Sequence, residues 1–144
     1  MNWRYIENGT RDFVRARNFS DAVVYTGTSG ICQLADVNGD KVDIYLYTKN
    51  GARQLPVPRF YWKVIADFYN GAGVAIIGVN NPHITENEID HYRICNPLKD
   101  HPIMKGISQP DNITKGVVYA CNVSDALKVI DEIPKGLAKL HLLS

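Results

Sequence analysis

The chain lacks the short motifs that usually mark a phosphate, redox or nucleophilic site. It has no Gly-rich phosphate loop, no Ser or Cys nucleophile motif, no CxxC pair and no internal repeat. No apolar run approaches the roughly 18 residues that a transmembrane helix needs. The formal net charge is only +1 over 144 residues, so any basic site must be local. These absences leave one ordinary globular domain of a length that can bury a core.

Histidine and cysteine are few and widely spaced. The four histidines are His83, His91, His101 and His141. None is in a compact metal-ligand spacing, so we predict exposed loop histidines. Cys95 and Cys121 lie in the loop-rich C-terminal part and are candidates for a surface disulfide, which would leave Cys32 over. The alternative is three buried free thiols in a cytosolic protein.

Asn-x-Ser/Thr sequons are more frequent than composition explains. This composition gives about one such sequon by chance, and the chain has four, which points to secretion. The sequons begin at Asn8, Asn18, Asn112 and Asn122. Met1 is followed directly by polar and charged sequence, so no signal peptide is predicted. We interpret this combination as a sign that the natural N-terminus is missing.

Residues 3–17 are predicted to form an amphipathic helix. One face has helical spacing and consists of Trp3, Ile6, Thr10, Phe13 and Val14. A charged stripe lies beside it, within about 80° when residues are plotted at about 100° each. Its members are Arg4, Glu7, Arg11 and Arg15. By periodicity alone, such a stripe is more typical of a solvated face with a Glu7–Arg11 ion pair than of a functional site.

A first strand, AVVYTGTSG, and two hairpins are predicted next. The first hairpin, ICQLADVNGDKVDIYLYT, turns at Asn-Gly. In the second, GVAIIGV is apolar enough for a central strand. Its other strand alternates, with Phe60, Trp62 and Val64 predicted to face the core. The opposite side, formed by Arg59, Tyr61 and Lys63, suits either single-stranded nucleic acid or an ordinary solvated sheet face.

The C-terminal part is predicted to contain less regular structure. A polar loop over residues 83–116 precedes a short strand, GVVYACNV, and a helix, SDALKVIDEI, capped by Ser124. The tail KGLAKLHLL is interpreted as a further helical turn. The fold class is therefore α+β, with an N-terminal helix, a mainly antiparallel sheet of hairpins, a long polar loop and a short C-terminal helix.

The opening pattern N-W-x-x-x-E-x-x-x-R-D, followed by VVYTGTSG, resembles the DNA/RNA non-specific endonucleases, a family of ββα-metal nucleases. The similarity continues in order through QLADVNGDKVDIYLY, LPVPRFYWKVI, GVAIIGVNNPHIT and KGVVYACNVSDAL. It covers nearly the whole chain and looks most like the insect-type secreted members.

The resemblance implies hydrolysis of DNA or RNA phosphodiesters around one hydrated Mg²⁺ that bridges oxygens of the scissile phosphate. It matches Glu7 to the helix carboxylate that orients metal-bound water. Arg11, one turn later, matches the arginine beside the phosphate. Arg4 and Arg15 extend this nucleic-acid-binding face. The resemblance also implies a secreted protein without a membrane partner.

Two parts of the family's site have no counterpart in the sequence. The Asp-Arg-Gly-His motif, whose His activates the attacking water, is absent. The direct metal ligand is an Asn four residues before the helix Trp, whereas Asn2 is adjacent to Trp3. Residues 1–144 are therefore expected to form one domain that corresponds to the C-terminal portion of the nuclease domain, weakly active or inactive alone.

Three hypotheses follow for its function. The chain is half of a nuclease that missing N-terminal sequence or a partner chain completes; or it binds nucleic acid weakly without cutting it; or it is an interaction domain that kept the fold and lost the chemistry. Apolar surface and sheet edges left by a missing half favour a homodimer or a complementing N-terminal half as partner.

Overall fold

One five-stranded sheet with structure packed on both faces forms the centre of the molecule. The computed structural model describes residues 1–19 and 22–144. The helices are α1 (Asn2–Ala16) and α2 (Val123–Leu127), with 3-10 helices at Glu86–Tyr92, Pro102–Met104 and Lys135–Lys139. The strands are β1 (Ala22–Ser29), β2 (Gln33–Ala35), β3 (Lys41–Asp43), β4 (Thr48–Lys49), β5 (Ala52–Arg53), β6 (Phe60–Asp67), β7 (Ala72–Val79), β8 (Val118–Cys121) and β9 (His141–Leu142).

The sheet is mainly antiparallel, with the order β1-β6-β7-β8. Strand β7 is central, as its apolar sequence predicted. The short strand β9 pairs with β7 in parallel, next to β8. The hairpins β2–β3 and β4–β5 lie outside this sheet, between β1 and β6 in the chain. The predicted α+β class, with its N-terminal helix, antiparallel sheet and short C-terminal helix, is confirmed.

The first face of the sheet carries the larger apolar cluster. Phe60, Trp62 and Val64 of β6 are buried there, as their alternation predicted. The 3-10 helix at Glu86–Tyr92, α2 and the segment after α2 cover this face. Their buried side chains in the cluster are Ile84, Ile89, Tyr92, Val123, Ala126, Ile130, Ile133, Leu137 and Leu140.

Helix α1 covers the second face, where Ile6 and Phe13 pack in one cluster with Ile65, Val74 and Ile76 of the sheet. Since residues of β6 alternate between faces, Tyr61 and Lys63 share this side with Ile65 and are only partly exposed. The predicted amphipathic helix is therefore correct. The hypothesis of an open, solvated sheet face at these two β6 residues is wrong, because a helix lies over it.

Glycine at position 78 lets α1 approach β7 closely. A Cβ atom built on Gly78 would lie 2.7 Å from Cε3 of Trp3. The Trp3 ring also lies 5.7 Å from the Tyr61 ring, centroid to centroid. The start of α1 is held separately by Asn2, a buried residue whose Nδ2 donates to the carbonyl oxygens of Gln109 (2.8 Å) and Gly116 (2.9 Å).

Residues 83–116 differ from the predicted polar loop, since two 3-10 helices form there. Isolated apolar residues along this segment, among them Ile84, Ile89, Tyr92 and Ile103, insert into the clusters on both faces of the sheet. The spacing of these residues has neither a helical nor a strand period, so the sequence pattern hid their burial.

The C-terminal part also departs from the prediction. Asn122, not Ser124, is the N-cap residue of α2, and the helix ends at Leu127. The chain leaves the helix early and brings Ile130 and Ile133 into the core. The tail forms a 3-10 turn followed by β9, rather than helix alone.

His101 is buried, which contradicts the prediction of an exposed loop histidine. Its Nε2 bonds to the carbonyl oxygen of Leu143, and its Nδ1 accepts a hydrogen bond from the backbone N–H of Ile103 at 3.2 Å. The other three histidines are exposed. Burial lowers the pKa of His101, an effect that the hydrogen bond to Leu143 partly offsets and nearby Arg17 adds to.

A disulfide joins Cys95 to Cys121, which are 26 positions apart in the sequence, and Cys32 is a buried free thiol. Cys121 has no exposed area, so the bond anchors the long connection to the core and is not the surface bridge that was predicted. The sequon at Asn18 includes Ser20, which lies outside the described residues. No helix in the described part of the chain is long and apolar enough to cross a membrane.

The Gly78→Ala substitution should destabilise the fold by about 1–3 kcal/mol, because the new methyl group forces the Trp3 ring or the strand to move. Urea unfolding followed by circular dichroism measures the loss. Gly136→Ala is the matched control, since no atom lies within 4 Å of a Cβ there. Equal unfolding free energies for the two variants would contradict the close approach of α1 to β7.

The free energy of unfolding should fall as pH is lowered from about 7 to 5, because the unfolded chain protonates His101 near its ordinary pKa of about 6.5 while the folded state resists protonation. The stability that neutral His101 contributes is fully present above the pKa of the unfolded chain, and it is lost as the pH falls below that value. His101→Gln should flatten the dependence in this window in urea titrations. His91→Gln, at an exposed position, should leave it unchanged; a wild-type slope in His101→Gln would exclude this cause.

Candidate nucleic-acid interface

The charged stripe of α1 is exposed on the side of the helix away from the core. Ile6, Thr10 and Phe13 are buried against the sheet. Because residues advance by about 100° along a helix, the next face carries Glu7 and Arg11. The structure leaves all four predicted stripe residues, Arg4, Glu7, Arg11 and Arg15, exposed on this face. We call these four residues the charged face of α1.

The ion pair of the charged face is not the one that helix spacing predicted. Oε1 of Glu7 lies 4.0 Å from Nζ of Lys63 on β6, and no Glu7–Arg11 pair forms within 4.0 Å. None of the five ion pairs among residues 1–19 and 22–144 includes Arg4, Arg11 or Arg15. The helix therefore presents three guanidinium groups to solvent without a carboxylate partner in the described structure.

Lys63 lies under the edge of the helix. Its side chain is 13% exposed, compared with 54% for Glu7. Its Nζ lies 3.4 Å from Oγ1 of Thr26 and 5.6 Å from the centroid of the Trp3 ring. The ammonium group is thus placed between α1 and the sheet, where the helix carboxylate and a strand hydroxyl meet.

Beside α1, the surface of the sheet is formed by polar residues of the neighbouring strands β1 and β6. Thr26 pairs with Lys63, and Thr28 pairs with Tyr61, in the β1–β6 register. Directly paired residues of antiparallel strands share a face, so these four side chains lie on the side of the sheet that α1 covers. Both threonines are exposed. We call this strip between α1 and strand β1 the α1–β1 groove.

A cleft of about 400 Å³ opens at the N-terminal end of α1. Trp3, Tyr61, Asn80 and Lys115 are among the residues that line it. Trp3 thus lies both at this cleft and near Lys63, whose Nζ is 5.6 Å from the centroid of the Trp3 ring.

The described residues do not provide a metal site by themselves. No three His, Cys, Asp or Glu side chains come together in residues 1–19 and 22–144 in a group that could hold a metal ion. Glu7 is the one carboxylate of the charged face, and its nearest ionic partner is a lysine. Asn2, the closest residue to the expected amide ligand, has its amide engaged with the backbone of Gln109 and Gly116. This donor set does not fit a metal ion.

Sequence reasoning named the helix residues of this surface and placed Lys63 on a strand side that suits nucleic acid, but it did not name Thr26 and Thr28. Lys63, Thr26 and Thr28 lie 10 or more positions beyond the end of the helix at Ala16. The alternation around Lys63 was the available signal, but it did not show that a helix would cover that side of β6. The Thr26–Lys63 pairing depends on strand register, which local sequence does not show.

Comparisons of the sequence with known proteins identify a family and a curated relative. The family model for DNA/RNA non-specific endonucleases matches residues 1–126. The chain is 27% identical over 143 residues to Salivary protein Tsal1 of Glossina morsitans morsitans. This alignment covers 98% of the present chain and 33% of the salivary protein. The chain therefore spans about a third of the length of the curated relative that it matches. No solved structure matches it.

The family match begins at residue 1, so it includes the whole charged face of α1, and it continues through β8 into α2. The expected resemblance is confirmed by a match over most of the chain. The chain belongs to the DNA/RNA non-specific endonuclease family.

Proposed function

We propose that α1 is the phosphate-facing helix of a nuclease centre, and that the 144-residue polypeptide binds nucleic acid through the charged face without cutting it. The observation that carries this proposal is the exposed trio Arg4, Arg11 and Arg15, which have no ion-pair partner in the described residues. Guanidinium groups bind phosphate oxygens with two parallel hydrogen bonds.

Glu7 has a distinct role in this proposal. A carboxylate next to a phosphate is repulsive unless cations or a metal ion compensate it. The family consists of metal-dependent nucleases, and Mg²⁺ is the ion we propose for the complete centre. The present donor set supplies Glu7 alone, so the other ligands and the water-activating base belong to sequence or a partner outside these 144 residues.

Binding by this polypeptide should be weak and sensitive to salt. The net charge of +1 provides little long-range attraction. Three arginines supply about three phosphate contacts, and each contact contributes roughly 0.9 to the slope of log affinity against log salt concentration. We therefore expect a shallow slope of about three.

We also propose that the protein is secreted. The matched relative is named a salivary protein. The Cys95–Cys121 disulfide is typical of proteins from oxidising compartments. The four sequons agree with this environment.

Changing both Arg11 and Arg15 to Ala should lower affinity for a fluorescein-labelled duplex and reduce the salt slope by about two. Fluorescence anisotropy at several salt concentrations measures both quantities. The matched control removes two exposed cations from the other side of the sheet, in Lys128→Ala/Lys139→Ala. Equal binding by the arginine variant and wild type would contradict the assignment of this face.

The wild-type polypeptide should leave duplex DNA and RNA uncut in the presence of Mg²⁺, while still binding them. Gel electrophoresis after long incubation measures cleavage, with Glu7→Gln as the comparison. Cleavage by wild type that Glu7→Gln abolishes would show that the 144 residues contain a working centre, and the proposal of binding without hydrolysis would fail.

A further inference from the structure

Lys63 has an unusual electrostatic environment for a lysine of this chain. Its contact with Glu7, at 4.0 Å, is the longest of the five ion pairs in the described residues, since the other four measure 2.7–3.0 Å. Its side chain is also the least exposed partner in any of these pairs, at 13%. Among the five ion pairs, Lys63 is therefore the cation with the least exposure to water and also the one with the longest distance to its carboxylate partner.

The hydrogen-bonding capacity of this ammonium group is largely unused. A lysine Nζ carries three N–H donors. Within the described structure, Oγ1 of Thr26 is its one hydrogen-bond acceptor, at 3.4 Å. The Trp3 ring, at 5.6 Å, provides a weak cation–π contact that leaves these donors free.

The position of Lys63 gives an anion access from one side. Helix α1 lies above it and β6 below, but Thr26 and Thr28 on the neighbouring strand β1 are exposed. Glu7, at 54% exposure, is held at the rim rather than buried, so its carboxylate can rotate into solvent at little cost. An anion entering the α1–β1 groove would meet the ammonium group beside Thr26, whose hydroxyl already donates to the carbonyl oxygen of Trp62 at 3.3 Å.

We propose that Lys63, beside Thr26, forms a phosphate-binding site in the α1–β1 groove, for a backbone phosphodiester of nucleic acid. Glu7 occupies the place of the anion when the site is empty and moves aside when the phosphate enters. A partly desolvated ammonium group attracts phosphate more strongly than an exposed one, because screening by water is weaker. This site lies next to the charged face of α1 and rests on the proposed function.

Because Glu7 competes with phosphate for Lys63, changing the two residues should alter the affinity for nucleic acid in opposite directions. Lys63→Met keeps the aliphatic stem, so affinity for a labelled duplex should fall about fivefold to tenfold and the salt slope by about one. Glu7→Gln removes the competing carboxylate, so affinity should rise. In the double variant this rise should vanish, since Glu7 acts through Lys63. Lys128→Met, an equal charge change on exposed α2-flanking surface, should alter affinity by no more than about twofold.

A purely structural role for Lys63 gives a different result. If Lys63→Met keeps the wild-type melting temperature and salt slope, Lys63 only neutralises Glu7 and the proposal is overturned. If Lys63→Met does not fold, Lys63→Arg decides the question, because it retains the charge and a site for phosphate predicts a wild-type slope. A reduced slope in Lys63→Arg, with the fold intact, would also overturn the proposal.

Inorganic phosphate separates this inference from the proposed function. In ¹H–¹⁵N spectra of the wild type, titration with phosphate should shift the amide signals of Thr26 and Lys63, and it should not shift them in Lys63→Met. If the wild type binds no duplex but shows these shifts, the proposed function fails and the phosphate site stands. If phosphate leaves both signals unchanged, the site is overturned, whatever happens with nucleic acid.

Discussion

The packing of α1 on the second face of the sheet determines the geometry of every candidate site residue. Burial of Ile6 and Phe13 fixes the rotation of the helix about its axis, since turning it by one position would expose both side chains. Trp3, seated over Gly78, fixes its height above β7. The placement of Glu7 and Arg11 is thus a consequence of core packing, and the solvent-facing residues need no contacts with each other to be oriented.

Charged side chains of both signs lie close together around Glu7. The chain is almost neutral, yet Glu7 has Arg11 one turn away on its helix and Lys63 beneath it. Such an arrangement surrounds a carboxylate with cations without closing it into a short ion pair. In a nuclease family, this is the electrostatic condition for holding an acidic group near a polyanion, because the surrounding cations offset the repulsion.

The sequence pattern predicted the helix and the strand in which apolar residues recur at a regular spacing. The buried stripe of α1 and the alternation in Phe60, Trp62 and Val64 were sufficient for the helix, the strand and their buried sides. The Glu7–Lys63 contact could not be predicted in this way, because it depends on where α1 crosses β6. The exposure predicted for His101 was wrong for a similar reason: its burial depends on the C-terminal tail, whose Leu143 carbonyl bonds to it.

The C-terminal tail has a consequence for where the folding unit ends. The family model ends at residue 126, but the apolar core does not. Ile130, Ile133, Leu137 and Leu140 belong to the cluster on the first face, and β9 extends the sheet beside β7. A protein trimmed to residues 1–126 would lose these four core side chains together with β9. The end of the family model and the end of the packed core therefore fall at different residues in this chain.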